Sequence, residues 1–301
     1  MSIIINKNTN VVIQGMTGKE GSRAAEGMIE SGIKVSVGVT PGKGGQEVLG
    51  KPIFNTIKEA LIHDATINTS VLYVPPLAVL GAAFEAMAAG IKTLVIITEN
   101  VPVLDSTKIF EKSKELGCRV LGPSSVGILN TALGKIGSIG KAQESKMYSA
   151  GNIGIISKSG GMCAETALVL TQAGLGQSTV VGIGGDVIIG TTFVDILELF
   201  QNDSETEAVV LFGEIGGFYE NQVAEMVKNK KFTEPVIAFI SGQFAEKLGR
   251  SLALGHAGAT IEGELTTARA KKKILREAGV LVADYHYQIP DLVKQVLGSR
   301  K

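Results

Sequence analysis

His256 is the residue of this sequence whose type and setting best suit covalent chemistry. It stands in the segment 255–259 (GHAGA), where small residues leave room for a bulky group at the imidazole. A helix that we predict just beyond it would present free N–H groups, which attract an anion. Neutral imidazole is also a competent nucleophile near neutral pH. The pattern indicates either a histidine that becomes phosphorylated or a histidine that caps a turn.

Acidic and glycine-rich segments in the second half of the chain suit the same chemistry. Glu214 lies in the segment 213–217 (GEIGG), directly after a predicted strand, where its carboxylate can accept an imidazole N–H and fix the tautomer. Asp186, in the similar segment 182–186 (GIGGD), is more typical of a turn or a cap. The segment 157–162 (SKSGGM) is a further glycine turn between a strand and a helix.

Glycine-rich loops also follow the predicted strands of the first half. The loop 15–21 (GMTGKEG) departs from the usual dinucleotide spacing, so it is either a phosphate site or a structural turn. The loop 38–45 (GVTPGKGG) is one residue too short for a nucleoside-triphosphate loop and lacks its Ser or Thr. Lys43 in this loop either pairs with a ligand phosphate or is simply solvated. The segments 97–100 (ITEN) and 122–127 (GPSSVG) also follow strands.

Short apolar runs alternate with helical patterns along the whole chain. Continuous apolar runs separated by helices indicate parallel sheets covered on both faces. The polar segment 141–152 interrupts this rhythm, so we predict two α/β domains, 1–145 and 146–301. In such sheets ligands bind beyond the carboxyl ends of the strands, which is where the glycine loops lie.

The composition argues against several classes of function. The 301 residues carry 29 basic and 29 acidic side chains, so bulk charge favours neither nucleic acid nor an anionic membrane. Cys118 and Cys163 are far apart and form no metal or redox motif. No targeting segment or membrane span is visible. We expect no metal site on this chain and a location in the cytoplasm or, for a mature protein, the mitochondrial matrix.

Six motifs, in order along nearly the whole chain, resemble the α subunits of succinyl-CoA synthetases. They are 17–18 (TG), 39–45 (VTPGKGG), 97–99 (ITE), 182–186 (GIGGD), 213–217 (GEIGG) and 255–259 (GHAGA). The resemblance implies an α/β protein with an N-terminal Rossmann-like CoA-binding domain and then a flavodoxin-like, doubly wound ligase domain.

The resemblance also implies roles for individual residues. His256 would be a transient phosphohistidine that Glu214 orients, and we expect Ser159, Gly160 and Gly161 to bind substrate or phosphate. The residues implied in CoA binding are Thr17, Gly18, Lys19, Glu20, Lys43, Ile97, Thr98 and Glu99. The partner implied is a β subunit with an ATP-grasp fold that holds ATP or GTP with Mg²⁺, and the acid is a dicarboxylate.

Three segments depart from the family pattern. The chain has GPSSVG at 122–127 where the family has GPNCPG, and SKSGGMCAE at 157–165 where the family has SRSGTLTYE. The family's tyrosine is thus replaced by Ala164, and the segment 242–255 is longer than usual. These segments are more similar to ATP-citrate lyase and citryl-CoA synthetase. Gly161, in place of threonine, would enlarge the acid pocket.

The resemblance therefore implies the α subunit of a nucleotide-dependent acid-CoA ligase, with succinate as the leading acid and a reversible reaction. Citryl-CoA or malyl-CoA ligation is the alternative within this class. No lyase region follows the ligase pattern in the 301 residues, so we expect no lyase step. A regulatory or redox-sensing CoA-binding module without catalysis is the alternative from another class, and the joint presence of His256 and Glu214 argues against it.

Overall fold

Two seven-stranded sheets with flanking helices organise the described part of the chain. The computed structural model describes residues 3–140, 147–247 and 255–298. The strands β1, β5, β11 and β12 are buried at every residue, because helices cover both faces of each sheet. Their bounds are given below. None of the described helices is both long and apolar enough to cross a membrane.

The first sheet has the Rossmann order. Its strands are β1 (Asn10–Gln14), β2 (Lys34–Val39), β3 (Glu47–Val48), β4 (Lys51–Phe54), β5 (Thr69–Leu72), β6 (Thr93–Ile96) and β7 (Arg119–Leu121). They lie side by side as β3-β4-β2-β1-β5-β6-β7. Without β3, the remaining six strands are parallel and follow the order 3-2-1-4-5-6, which is that of a dinucleotide-binding fold. The predicted Rossmann-like domain is confirmed.

Four helices and one 3₁₀ turn connect these strands. They are α1 (Lys19–Glu30), α2 (Ile57–His63), the turn Pro76–Ala78, α3 (Val79–Ala88) and α4 (Val103–Leu116). Helix α1 begins directly after the glycine loop that follows β1, as the sequence predicted. Helix α2 begins at an N-cap threonine, Thr56, whose side chain accepts the N–H of Glu59.

The second sheet has the flavodoxin order with an added hairpin. Its strands are β8 (Gly127–Asn130), β9 (Gly134–Gly137), β10 (Ala150–Ser157), β11 (Gln177–Gly182), β12 (Ala208–Gly213), β13 (Val236–Ile240) and β14 (Leu281–Ala283). The sheet order is β14-β13-β12-β10-β11-β8-β9. The five strands from β10 to β14 are parallel and follow the order 2-1-3-4-5. The predicted flavodoxin-like fold is confirmed.

The helices of this second unit complete its two outer layers. They are α5 (Gly160–Gln172), α6 (Phe193–Phe200), α7 (Tyr219–Lys228), α8 (Ala268–Glu277) and α9 (Ile289–Gly298), with 3₁₀ turns at Gln243–Lys247, Glu264–Thr266 and His286–Gln288. Helix α6 begins with a capping box, in which Thr192 and Asp195 bond each other's backbone N–H.

Both sheets carry antiparallel strands at one edge, which corrects the expectation of purely parallel sheets. β3 runs antiparallel to β4, and β8 runs antiparallel to both β9 and β11. The β8–β9 connection is short because the Asn130 side chain accepts the N–H groups of Ala132 and Leu133, which closes a tight turn. Two glycine-containing strands of four residues carry too little apolar pattern for sequence reasoning to separate them from a loop.

The hairpin β8–β9 also bears on the domain division. Its residues precede the polar segment 141–152, yet they pair with the second sheet. The chain therefore passes from one sheet to the other between Leu121 and Gly127. Residues 141–146 lie outside the described residues, and the domain limits 1–145 and 146–301 remain predictions.

Candidate active site

The centre of the second sheet, where the strand order reverses, carries two charged side chains. Lys158 directly follows β10, and Glu214 directly follows the adjacent strand β12. Parallel strands end at the same edge, so these two residues emerge side by side. The Lys158 Nζ lies 3.1 Å from the Glu214 Oε1, and both side chains are buried, with 1% and 8% exposed.

His256 reaches the other oxygen of the same carboxylate. Its Nδ1 lies 2.7 Å from the Glu214 Oε2, and its side chain remains 30% exposed. The imidazole packs on Gly185, where an added Cβ would stand 2.6 Å from the His256 Cγ. Because Glu214 accepts the Nδ1 proton, the neutral ring carries its lone pair on Nε2. The arrangement presents a nucleophilic nitrogen on a partly open surface.

The segment after His256 is a turn and not the predicted helix start. The Ala259 N–H donates to the His256 carbonyl, and the Gly258 N–H donates to the Gly185 carbonyl. Helix α8 begins only at Ala268, after the 3₁₀ turn at Glu264–Thr266. The expectation was wrong because contacts with the neighbouring glycine loops hold these backbone groups and leave none for a helical ladder. Of the predicted long segment 242–255, residues 248–254 lie outside the described part.

Neighbouring charges govern the protonation of the three side chains. Burial opposes ionisation of Glu214, but the His256 hydrogen bond and the Lys158 charge outweigh it and lower the Glu214 pKa. Burial likewise opposes the charge of Lys158, yet the carboxylates of Glu220 and Glu214 raise its pKa. The hydrogen bond to Glu214 raises the pKa of His256, while burial and the Lys158 charge oppose that rise.

A second ion pair, between Glu220 and Lys271, holds the backbone of Glu214. Both side chains are fully buried, and the Lys271 Nζ lies 2.5 Å from the Glu220 Oε2. Lys271 also donates to the carbonyl of Glu214 at 2.8 Å, and Glu220 accepts the Glu214 N–H at 3.1 Å. Glu214 is therefore anchored at its backbone N–H and its backbone carbonyl as well as through its side chain.

The residues expected to bind CoA lie at the carboxyl edge of the first sheet. The Thr17 Oγ1 lies 3.2 Å from the Thr40 Oγ1, which joins the loop after β1 to the loop after β2. Lys43 is exposed in that second loop, where the Asn55 side chain accepts the N–H groups on either side of Lys43. Gly18, Lys19 and Glu20 are also exposed, at the start of α1.

The segment after β6 lies at the same edge. Thr98 donates to the Val74 carbonyl at 2.8 Å, Ile97 is half-buried and Glu99 is exposed. The backbone of the loop after β1 is tightly packed, because a Cβ on Gly21 would stand 2.3 Å from the Gly15 carbonyl oxygen. Such a close-packed glycine turn opens a helix N-terminus to a phosphate.

The loop between β7 and β8 joins the two strand edges. The Ser124 N–H donates to the Thr98 carbonyl, and the Ser125 hydroxyl donates to the Gly182 carbonyl at 2.6 Å. The Gly184 backbone packs against the Pro123 carbonyl so closely that a Cβ would stand 2.1 Å from that oxygen. The predicted CoA edge and the His256 loop are thus held in one continuous network of contacts.

The charge of Glu99, at the edge expected to bind CoA, acts on two residues of the second unit. Glu99, on the first unit, raises the pKa of both His256 and Asp186, after the larger effects of the Glu214 bond and of burial respectively. His256 therefore lies near the residues expected to bind CoA and is open to solvent.

The three residues expected to bind substrate or phosphate begin helix α5. Ser159 is the N-cap, and its side chain accepts the Met162 N–H at 3.5 Å. Gly160 packs on Val126, where a Cβ would stand 2.1 Å from the Cγ1. Gly161 is exposed, and a Cβ there would meet nothing within 4 Å. The start of α5 is thus fixed at Gly160 and open at Gly161.

Sequence reasoning missed part of this site. Asp186 is 8% exposed, and its Oδ2 is buried without a hydrogen-bond partner among the described residues, so this oxygen caps no turn. Burial is the main cause of its raised pKa.

The sequence did not point to three further residues of the site, which are Lys158, Glu220 and Lys271. Lysines and glutamates are mostly solvent-exposed in proteins, and only the fold shows that these are buried. The position of Lys158 directly after a strand was the available signal.

No group of three or more His, Cys, Asp or Glu side chains that could hold a metal ion occurs in the ranges 3–140, 147–247 and 255–298.

Both cysteines are buried free thiols, and burial raises the pKa of Cys163 to about 12 and that of Cys118 to about 11. Such thiols are protonated at neutral pH and are poor nucleophiles.

Two family models match the chain, one in each half. The CoA binding domain matches residues 6–100, and the CoA-ligase family matches residues 156–281. The second range contains Lys158, Glu214 and His256.

Known proteins resemble the chain along almost its whole length. The succinate–CoA ligase [ADP-forming] subunit alpha 1 of Archaeoglobus fulgidus is 44% identical and aligns over 98% of this chain and 97% of its own. The ADP-forming sulfoacetate-CoA ligase subunit SqwL of an Acholeplasma species is 38% identical, with 98% of each chain covered.

A solved structure has the same fold along almost the whole of this chain. The ATP citrate lyase of Methanosaeta concilii in complex with (3S)-citryl-CoA superimposes with a TM-score of 0.91 at 25% identity. The match covers 99% of this chain and 51% of that one, so this chain spans about half the length of the lyase. The chain belongs to the CoA-ligase family that includes the alpha subunits of ADP-forming succinate–CoA ligases.

Proposed function

We propose that this chain is the α subunit of a nucleoside-diphosphate-forming ligase that joins a dicarboxylic acid, with succinate as the leading substrate, to CoA. The observation that carries the proposal is the placement of His256. Its ring is held by Glu214, partly open to solvent and near Glu99 on the edge expected to bind CoA. A phosphoryl carrier needs all three properties, because it must accept the group, hold it and release it to a second substrate.

The first step is the phosphorylation of His256. Its Nε2 attacks the terminal phosphorus of a nucleoside triphosphate, a P–O bond breaks and the diphosphate leaves. Glu214 keeps the proton on Nδ1 and offsets the positive charge that develops on the ring, as the acid of a catalytic triad does. The fixed orientation of Glu214 avoids the cost of arranging these groups during the reaction.

The second and third steps pass the phosphoryl group to the acid and replace it with CoA. A carboxylate oxygen of the acid attacks phosphorus, the N–P bond breaks and an acyl phosphate forms. The CoA sulfur then attacks the acyl carbon, the C–O bond breaks, and the departing phosphate carries away the thiol proton. Ser159, Gly160 and Gly161 would receive the acid or phosphate at the start of α5, and the loops of the first unit would position the thiol.

The nucleotide would be held by a partner. The chain has no complete nucleoside-triphosphate loop, and its relatives are named as subunits. We propose a β subunit with an ATP-grasp fold that supplies ATP or GTP with Mg²⁺ to the open face of His256, in a complex located in the cytoplasm.

A bulkier or different acid is the second candidate. The SqwL relative is named for sulfoacetate, and the first superimposed structure contains (3S)-citryl-CoA. Gly161 leaves open space at the start of α5, which suits a larger acid such as citrate or malate. A panel of succinate, malate, citrate and sulfoacetate, with thioester formation measured for the complex of this chain and its partner, ranks these candidates.

The central test is the labelling of His256. The complex incubated with nucleoside triphosphate labelled in its terminal phosphate should carry acid-labile, base-stable label on this chain. Addition of acid and CoA together should discharge the label into free phosphate and form one thioester for each phosphoryl group lost.

His256→Gln is the decisive variant, because glutamine retains a polar side chain but offers no nucleophilic nitrogen. It should abolish the label while the thermal unfolding midpoint stays close to that of the wild type. Label that persists in this variant would remove His256 from the carrier role. Label in the wild type that CoA and acid fail to discharge would remove the ligase proposal.

A further inference from the structure

We propose that Lys158 is a positioning residue for phosphoryl transfer: it holds one oxygen of Glu214 so that the other orients His256, and its charge opposes protonation of the ring. The inference rests on the proposed function and adds a residue to its machinery. The Glu214 carboxylate lies between Lys158 and the imidazole, so Lys158 orients the ring through Glu214 and affects its protonation through its charge.

The geometry of the carboxylate carries the argument. Glu214 divides its two oxygens, with Oε1 at 3.1 Å from the Lys158 Nζ and Oε2 at 2.7 Å from the His256 Nδ1. A carboxylate held at one oxygen only would rotate about its last bond and lose the imidazole. The Lys158 contact is an ion pair without an aligned hydrogen bond, because Oε1 has no hydrogen-bond partner among the described residues, so Lys158 holds Oε1 by charge while the hydrogen bond to His256 holds Oε2.

The surroundings of Lys158 leave this ion pair as its role. The side chain is 1% exposed, so its ammonium group does not reach a bound acid or nucleotide. Its Nζ lies 5.8 Å from the centre of the Tyr219 ring, and its charge is further balanced by Glu220. A buried lysine is costly to retain for stability alone, because an apolar side chain of similar volume often packs equally well.

Charge supplies the second part of the role. Glu214 and Glu99 favour the protonated form of His256, and Lys158 opposes it. The charge of His256 in turn lowers the pKa of Asp186, against the larger effect of burial, which raises it. Only the neutral ring has a lone pair on Nε2, so every carboxylate that raises the pKa of His256 reduces the nucleophilic fraction at a given pH. Lys158 offsets the acidic neighbours and preserves that fraction.

The direction of the expected effect follows from this balance. Removal of Lys158 takes away a positive charge, so the pKa of His256 rises. The rate of His256 phosphorylation increases as the pH rises through that pKa. The acid limb of the rate profile should therefore move to higher pH. The plateau rate should also fall, by about tenfold or more, because Glu214 is no longer held.

The experiment measures His256 phosphorylation against pH in the complex of this chain with its partner subunit, without acid or CoA. Lys158→Met should show the shifted limb and the lower plateau, and Lys158→Arg should restore both in large part. Lys272→Met is the matched control, since it removes a buried lysine whose Nζ donates to the Gln243 side chain and not to Glu214. An acid limb that stays in place in Lys158→Met would overturn the proposal.

A double variant keeps the test valid if Lys158→Met alone is unstable. Lys158→Met combined with Glu214→Gln removes both members of the ion pair and leaves no uncompensated buried charge. If Lys158 acts through Glu214, the double variant should have the plateau rate of Glu214→Gln alone. A further tenfold loss in the double variant would show that Lys158 acts on something else.

A titration that needs no nucleotide separates this inference from the proposed function. The chain has three histidines, so labelling its histidine rings with isotopes gives three sets of imidazole resonances, and His256→Gln identifies the set of interest. The pKa of His256 should rise in Lys158→Met, whether or not the wild type takes up phosphate. A wild type without label would refute the carrier function, and an unchanged titration would refute the role of Lys158.

Discussion

At the scale of single residues, the site depends on a glycine that supports the imidazole. The Gly185 backbone lies under His256, and a Cβ there would stand 2.6 Å from the Cγ and 2.9 Å from the Nδ1. These atoms belong to a rigid ring, so the ring itself must move. A displacement of about 1 Å would break the 2.7 Å contact with Glu214 and misplace the nucleophile.

Gly185→Ala should therefore lower the rate of His256 phosphorylation by about 100-fold. Gly81→Ala, in helix α3, is the matched control, because its new methyl group meets nothing within 4 Å. The rate of labelling by nucleoside triphosphate, measured in complexes with the partner subunit, checks both. Equal rates in the two variants would mean that His256 does not rest on Gly185 during the reaction.

At the scale of elements, the first turn of α5 sets the space available to the acid. Gly160 is fixed by its contact with Val126, and the next residue, Gly161, is exposed with open space around it. The resemblance to succinyl-CoA synthetases places a threonine at this position. The packing of the helix therefore does not limit the size of the residue at position 161. We expect the size of that residue to depend on the acid that binds.

Gly161→Thr should change the acid preference without loss of stability. The added side chain narrows the space at the helix start, so kcat/KM for citrate should fall relative to succinate by about tenfold. Thioester formation with each acid measures the ratio, and thermal unfolding checks the fold. A ratio that stays at the wild-type value would place the acid elsewhere.

At the scale of the whole molecule, two sheets divide the chemistry between them. The first presents the loops expected to bind CoA, and the second holds Lys158, Glu214 and His256. The loop that contains Ser124 and Ser125 bonds to both edges, so neither is free to move independently of the other. We therefore expect that a mutation on one sheet can impair CoA binding without impairing His256 phosphorylation, and the reverse.

Lys43→Ala should weaken CoA binding by about 10- to 100-fold, because we expect the Lys43 ammonium group to make a charge-assisted contact with a phosphate of CoA. His256 phosphorylation should stay within about twofold of the wild type, since Lys43 is exposed on the other sheet. CoA binding by calorimetry and labelling by nucleoside triphosphate check the two halves. Unchanged CoA affinity would show that this loop does not hold the cofactor.

The sequence by itself determined the order of the elements and the family. Continuous apolar runs specify buried parallel strands because every residue of such a strand faces a covering helix, and glycine loops after strands mark the ligand edge. His256 and Glu214 were recognisable because a histidine among small residues and an acid at a strand end are local patterns. The hairpin β8–β9 was not, since its strands are short and their pairing with β11 is remote in sequence.

Only the tertiary structure decided how the charges are shared. Residues 42 positions apart, Glu214 and His256, meet because strand β12 and the later turn end at one edge. Lys158, Glu220 and Lys271 acquire their roles through burial, which no local pattern of charged residues encodes. The pKa of a side chain depends on what surrounds it in space, and that is set by the packing of distant segments.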